Sequence, residues 1–74
     1  MPRGYRIDNK RLRSLPEPVR QRVRVLSALK QICLKIEALQ PSIAGRTACR
    51  EVAVMIVSLA NREIETASVA RRES

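Results

Sequence analysis

The chain has no histidine, no tryptophan and no phenylalanine, and its 74 residues include one tyrosine, Tyr5. Each absence excludes a kind of chemistry. Without His, the commonest general base and metal ligand is missing, and a Ser-His-Asp triad cannot be assembled. A single ring cannot form the base-stacking platform of RRM and OB modules. Glycine is scarce too: Gly4 and Gly45 are the only two, and no Gly-rich phosphate loop can be drawn from them. Cys33 and Cys49, sixteen residues apart and without Cys-x-x-Cys spacing, are too few for a zinc site and read as free, buried thiols. The longest apolar run, Val52 to Val57, reaches Ala60 only through Ser58, about half of the roughly 20 residues that span a bilayer. Met1 to Lys10 is polar and lacks the apolar centre of a secretory signal. The expectation is a cytoplasmic, non-membrane protein that is no enzyme and carries no cofactor or metal.

What is present is charge and aliphatic surface. Fifteen Lys/Arg stand against seven Asp/Glu, for a net charge of +8. The excess is N-terminal: residues 1–30 hold nine bases and two acids, and residues 31–74 hold six and five. Twelve of the fifteen bases are Arg, whose planar fork engages phosphate or carboxylate bidentately where Lys offers a point charge. Such asymmetry suggests an interaction surface for a polyanion. At 45% apolar the chain is too hydrophobic for disorder throughout, and it is short enough that one core would be marginal.

Residues 1–15 read as a flexible basic arm, since Ile7, Leu12 and Leu15 fit neither strand alternation nor a long amphipathic helix. Residues 16–74 read as an antiparallel two-helix hairpin. Pro18 is preferred as the first helical residue over a competing capping box from Ser14 to Glu17, and Pro41 ends a helix of about residues 18–40. In it Val25, Leu29, Ile32, Ile36 and Leu39 step by 4, 3, 4 and 3 and fall within an arc of about 80°. Arg20, Arg24, Ser27, Gln31 and Lys35 occupy the opposite side. Residues 41–46 form the turn, with Gly45 available for a left-handed conformation and Thr47 for a cap. The second helix runs over about residues 47–71. Its centre, Val52 to Ala60, is apolar at all positions but Ser58; a strand is the competing reading, set aside because the polar flanks continue a helical rhythm without a turn.

A helix apolar all round must be covered all round, and one partner helix covers one face. The expected remedy is a second copy, giving a dimeric four-helix bundle with two-fold symmetry, with Val52, Val54, Met55, Ile56, Val57 and Leu59 at the dimer or partner interface. Glu63 falls on the apolar arc and reads as a polar contact that fixes register. The basic tract of Arg3, Arg6, Lys10, Arg11, Arg13, Arg20, Arg24 and Lys35 is the candidate nucleic-acid surface, making backbone contacts to DNA or RNA. Asn9, Gln21 and Asn61 are candidates for base edges without further distinction, and Arg22 points toward the apolar edge. The expected function is a small basic nucleic-acid-binding regulatory or accessory protein. The alternative is a protein-binding adaptor or inhibitor that docks an aliphatic helix face on a larger acidic or hydrophobic partner.

Leu15-Pro16-Glu17 before the first helix and Gly45-Arg46-Thr47 opening the second resemble the ribbon-helix-helix DNA-binding regulators in two short motifs. Residues 5–15 lack the alternation of that family's DNA-reading ribbon, and the first helix is several turns too long. Helix-turn-helix fails on its long connector and long helices. The all-α hairpin therefore stands as the expected fold.

Overall fold

The computed structural model describes residues 6–73. They form three helices, α1 (Asn9–Leu12), α2 (Glu17–Leu39) and α3 (Ile43–Glu73), with no strand among the described residues. α2 and α3 lie along one another. Arg22 meets Glu63 and Glu37 meets Arg50, so early residues of one helix oppose late residues of the other. The 31 residues of α3 would span about 46 Å, which accounts for the 49 Å long axis of a body only 21 Å by 14 Å in its other dimensions.

Local chemistry sets the boundaries. Pro16 is the N-cap of α2 and Glu17 its first residue, which puts Pro18 second rather than first; neither position owes an intrahelical N–H bond. The capping box does not form, because the Ser14 hydroxyl donates to the Arg11 carbonyl (2.9 Å). Gln40 turns extended at ψ 131° before Pro41, the conformation a residue preceding proline favours. The connector is only Gln40-Pro41-Ser42, shorter than the turn expected over 41–46. Ser42 caps α3, its hydroxyl accepting from the Gly45 N–H at 3.0 Å. Gly45 thus lies inside α3 without a positive φ, and Thr47 is not the cap.

The largest departure from expectation is at the N-terminus. Residues 7–15 are folded against α3 rather than forming a flexible arm; residues 1–5, with Arg3, lie outside the described residues. Asp8 caps α1 by accepting from the Arg11 N–H at 3.2 Å. Ile7 and Leu15, on either side of this single turn, are buried, with Leu12 packed beside them. Their irregular spacing fits neither helix nor strand because each anchors from a different piece of backbone. One core results, made of Ile7, Leu15, Val19, Val23, Val57, Ala60 and Ile64, flanked by Leu26 and Ala67.

The core corrects two further expectations. Val57, assigned to a partner interface, is 1% exposed inside the chain's own core. Conversely, the five-residue stripe of α2 does not face α3: Val25, Leu29, Ile32, Ile36 and Leu39 are between 43% and 81% exposed. α2 instead turns Val19, Val23, Leu26, Lys30, Cys33 and Glu37 inward, another 4-3-4-3-4 series. Two of these six are charged, yet the face packs because Lys30 covers apolar surface with its stem and Glu37 is held by Arg50 (3.1 Å). Val57→Ala is expected to lower the unfolding free energy by about 2 kcal/mol, and Val69→Ala, away from the core, by less than about 0.5 kcal/mol. Urea denaturation followed by helical circular dichroism measures both.

Candidate nucleic-acid interface

The docked N-terminal segment brings bases from two parts of the sequence together. Asn61 on α3 holds it: the Asp8 N–H donates to Asn61 Oδ1 at 3.0 Å, and Asn61 Nδ2 donates to the Arg6 carbonyl at 2.9 Å. Both halves of one amide are thus spent on neighbouring backbone, which fixes Asn61 in a structural role and removes it as a base-edge candidate. Arg11 adds an ion pair to Glu65 at 2.7 Å.

With the segment seated, Arg13 from its end and Arg20 and Arg24 from α2 line one cleft of about 350 Å³, floored by Asn9 and Leu12. Arg13 and Arg24 are exposed, and no ion pair among the described residues engages either. Arg20 is half-buried and pairs with Glu17 through Nη2, while its buried Nε has no acceptor among the described residues. Such a donor costs free energy until an acceptor reaches it. Lys35 stands on the ridge of Arg20 and Arg24, three helical turns beyond Arg24 or about 16 Å. Lys10 and Arg6 are exposed on and before α1.

Two further bases are occupied across the α2–α3 seam. Arg22 donates to Glu63 Oε2 at 3.4 Å across the α2–α3 seam, and Arg50 grips Glu37 through Nε and Nη2. Gln21 reaches Glu17 at 3.4 Å. The tract read as continuous from the sequence therefore divides: Arg13, Arg20, Arg24 and Lys35 share one side, whereas Arg11 serves as a strut.

The aliphatic candidates separate as well. Val52, Met55 and Leu59 are exposed, Ile56 is buried at 9% exposure, and Val57 is core. Val54 is half-buried and lines a groove of about 870 Å³ at the connector end with Leu34, Ile43 and Arg50. Cys33 and Cys49 are free and half-buried. No helix among the described residues is long and apolar enough to cross a membrane.

Compared with protein-family models, with curated proteins and with solved structures, the chain matches none. Asn61→Ala should free the segment that positions Arg13. The expected result is amide exchange about tenfold faster over residues 8–15, for a loss of roughly 1–2 kcal/mol, with α2 and α3 protection retained; unchanged exchange would remove Asn61 as the clamp.

Proposed function

We propose that this protein binds nucleic acid as a small basic regulatory or accessory factor, through contacts to the sugar-phosphate backbone. The observation that carries the reading is the convergence of Arg13, Arg20 and Arg24 on one cleft, extended by Lys35 along the same ridge. Three guanidinium groups from two chain segments form a concentrated positive field. Arg suits phosphate in particular because it donates in a fixed fork.

The single aromatic ring, Tyr5, favours duplex or structured RNA over single strands, whose binding relies on stacking. Backbone contacts provide affinity and leave base sequence unread. The working assembly in this reading is a dimer of α2–α3 hairpins. A protein-binding adaptor or inhibitor is the second reading, and it draws on the aliphatic side chains that α2 and α3 leave exposed; the same side chains fit a second copy, as argued below.

The test is fluorescence anisotropy with a labelled duplex of arbitrary sequence across a salt series. Affinity is expected to fall steeply with salt, and Arg13→Ala and Arg24→Ala each to flatten the log–log slope by about 0.9 for one lost phosphate contact. No binding at about 50 mM salt, where backbone attraction is strong, would overturn the reading.

A further inference from the structure

Helix geometry assigns the α2 stripe and Val52, Met55 and Leu59 of α3 to one side of the molecule, whereas exposed Leu34 and Ile43 fall on the other. At about 100° per residue, the stripe of α2 lies roughly 120° from the residues that face α3. On α3, Val52, Met55 and Leu59 lie roughly 120° from the residues that face α2, in the same rotational sense. Two helices running in opposite directions are related by a two-fold axis perpendicular to their common plane. An equal offset in the same sense therefore brings both stripes to the same side. Two contacts agree with this. Arg22 and Glu63, which meet, both fall on that side of the seam. Leu34, Arg50 and Val57, which line a common hollow with Lys30, all fall on the other.

The opposite side is the one that α1 covers, through Asn61 and Glu65, and the one toward which the ridge of Arg20, Arg24 and Lys35 turns. Aliphatic and basic surfaces are thus back to back on a slab 14 Å deep. We propose that a second copy of this chain covers the face of Leu29, Ile32, Ile36, Val52, Met55 and Leu59. The resulting dimer turns its two arginine clefts away from each other, and so bridges two nucleic-acid segments rather than clamping one. The bridging rests on the nucleic-acid reading above; the dimer does not.

Size and charge select a second copy as the occupant. The broad side of the molecule, 49 Å by 21 Å, bounds the footprint at about 1,000 Å², against the roughly 800 Å² each partner contributes to a stable interface. The aliphatic stripe fills about 21 Å of its length, leaving the ends as a polar rim. At its seam Arg22 and Glu63 neutralise each other, and exposed Arg62 stands on its outer rim, so the centre of the face gives a charged partner nothing to pair with. The ridge of Arg20, Arg24 and Lys35 and the cleft it shares with Arg13, which would repel another copy, turn to the far side. Aliphatic layers from four helices then pack as a bundle. Each protomer's cleft stays outward, one slab thickness from the shared plane, so a single straight duplex cannot lie in both.

Two measurements on the full chain test this. Sedimentation equilibrium at about 100 μM, a concentration that populates an interface of standard size, should give the dimer mass. Immobilised duplex loaded with protein should then capture a second, labelled duplex. Ile32→Gln with Met55→Gln changes no charge and alters side chains that are 52% and 64% exposed. It should give a monomer of unchanged helicity that binds one duplex at wild-type salt dependence and captures no second one. Should helicity fall, Met55→Ala with Leu59→Ala, which only shortens exposed side chains in good helix formers, provides the same readouts. A monomeric wild type, or a dimer that survives both double variants, overturns the face and leaves it to a different partner. Capture by a monomeric variant overturns the bridging geometry. A wild-type dimer that binds no duplex overturns the nucleic-acid reading and the bridging with it, and the intact dimer mass distinguishes that outcome from a failed interface.

Discussion

The structure depends on the seam where Val19 and Val23 of α2 meet Val57, Ala60 and Ile64 of α3. Two helices share one line of contact, and a line of contact leaves side chains on both flanks in water unless a third layer covers them. Here the third layer is the N-terminal segment, and it is short. Ile7, Leu12 and Leu15 cover one flank at the end of the pair remote from the connector. There the side chains reach full burial. Toward the connector the described residues provide no third layer, and among them only Ala53 and Ile56 are buried outside the main cluster. The gradient in burial along the pair follows directly from how far the segment extends.

α2 therefore serves three functions with three faces. One packs on α3, one carries Arg20, Arg24 and Lys35, and one carries exposed Val25, Leu29, Ile32, Ile36 and Leu39. About 120° separates each from the next, so none can be widened without cutting into another. The interior face bears the consequence: it accommodates Lys30 and Glu37 because the larger aliphatics occupy a different stripe. The Glu37–Arg50 pair, with its carboxylate side chain 13% exposed against 64% for the arginine, is accordingly a contact at the rim of a seam rather than a buried ion pair. Its net worth is of the order of a surface bridge, up to about 1 kcal/mol.

Helix composition was legible in the sequence because Pro16, Pro18 and Pro41 punctuate long stretches free of Gly and Pro. The choice of seam was not. Hydrophobic periodicity selects the stripe with the most aliphatic volume, and in α2 that is the stripe left exposed. Val23, which lies off it, is among the most buried residues. Periodicity is blind to which of two seams a neighbour takes, and here a Val-Val-Leu edge is chosen because Ile7 and Leu15 complete it. The folded N-terminus was illegible for the related reason that its anchors depend on a distant partner: Asn61 is 53 and 55 residues from the backbone groups it binds. Gly45 misled through its usual association with turns. In this chain Ser42, three residues earlier, takes the cap and draws glycine into the helix. Of the basic tract, the residue types were legible, whereas their division into a cleft and a set of struts required the fold.

Stability and binding are joined at the N-terminal segment. Arg13 stands beside Arg20 and Arg24 only while Ile7 and Leu15 are buried and Asn61 holds the backbone. Bringing three like charges to one cleft opposes that docking, by an amount that counterions reduce. The nucleic acid proposed for the cleft would reverse the sign, since a polyanion that binds the docked form better than the undocked one stabilises the segment by mass action. In the proposed function the apolar anchors and the three arginines would thus assist one another through a single short piece of chain. Coupling of this kind makes the N-terminal segment part of the core and of the site at once, and it explains why the basic excess sits next to the chain's least regular backbone.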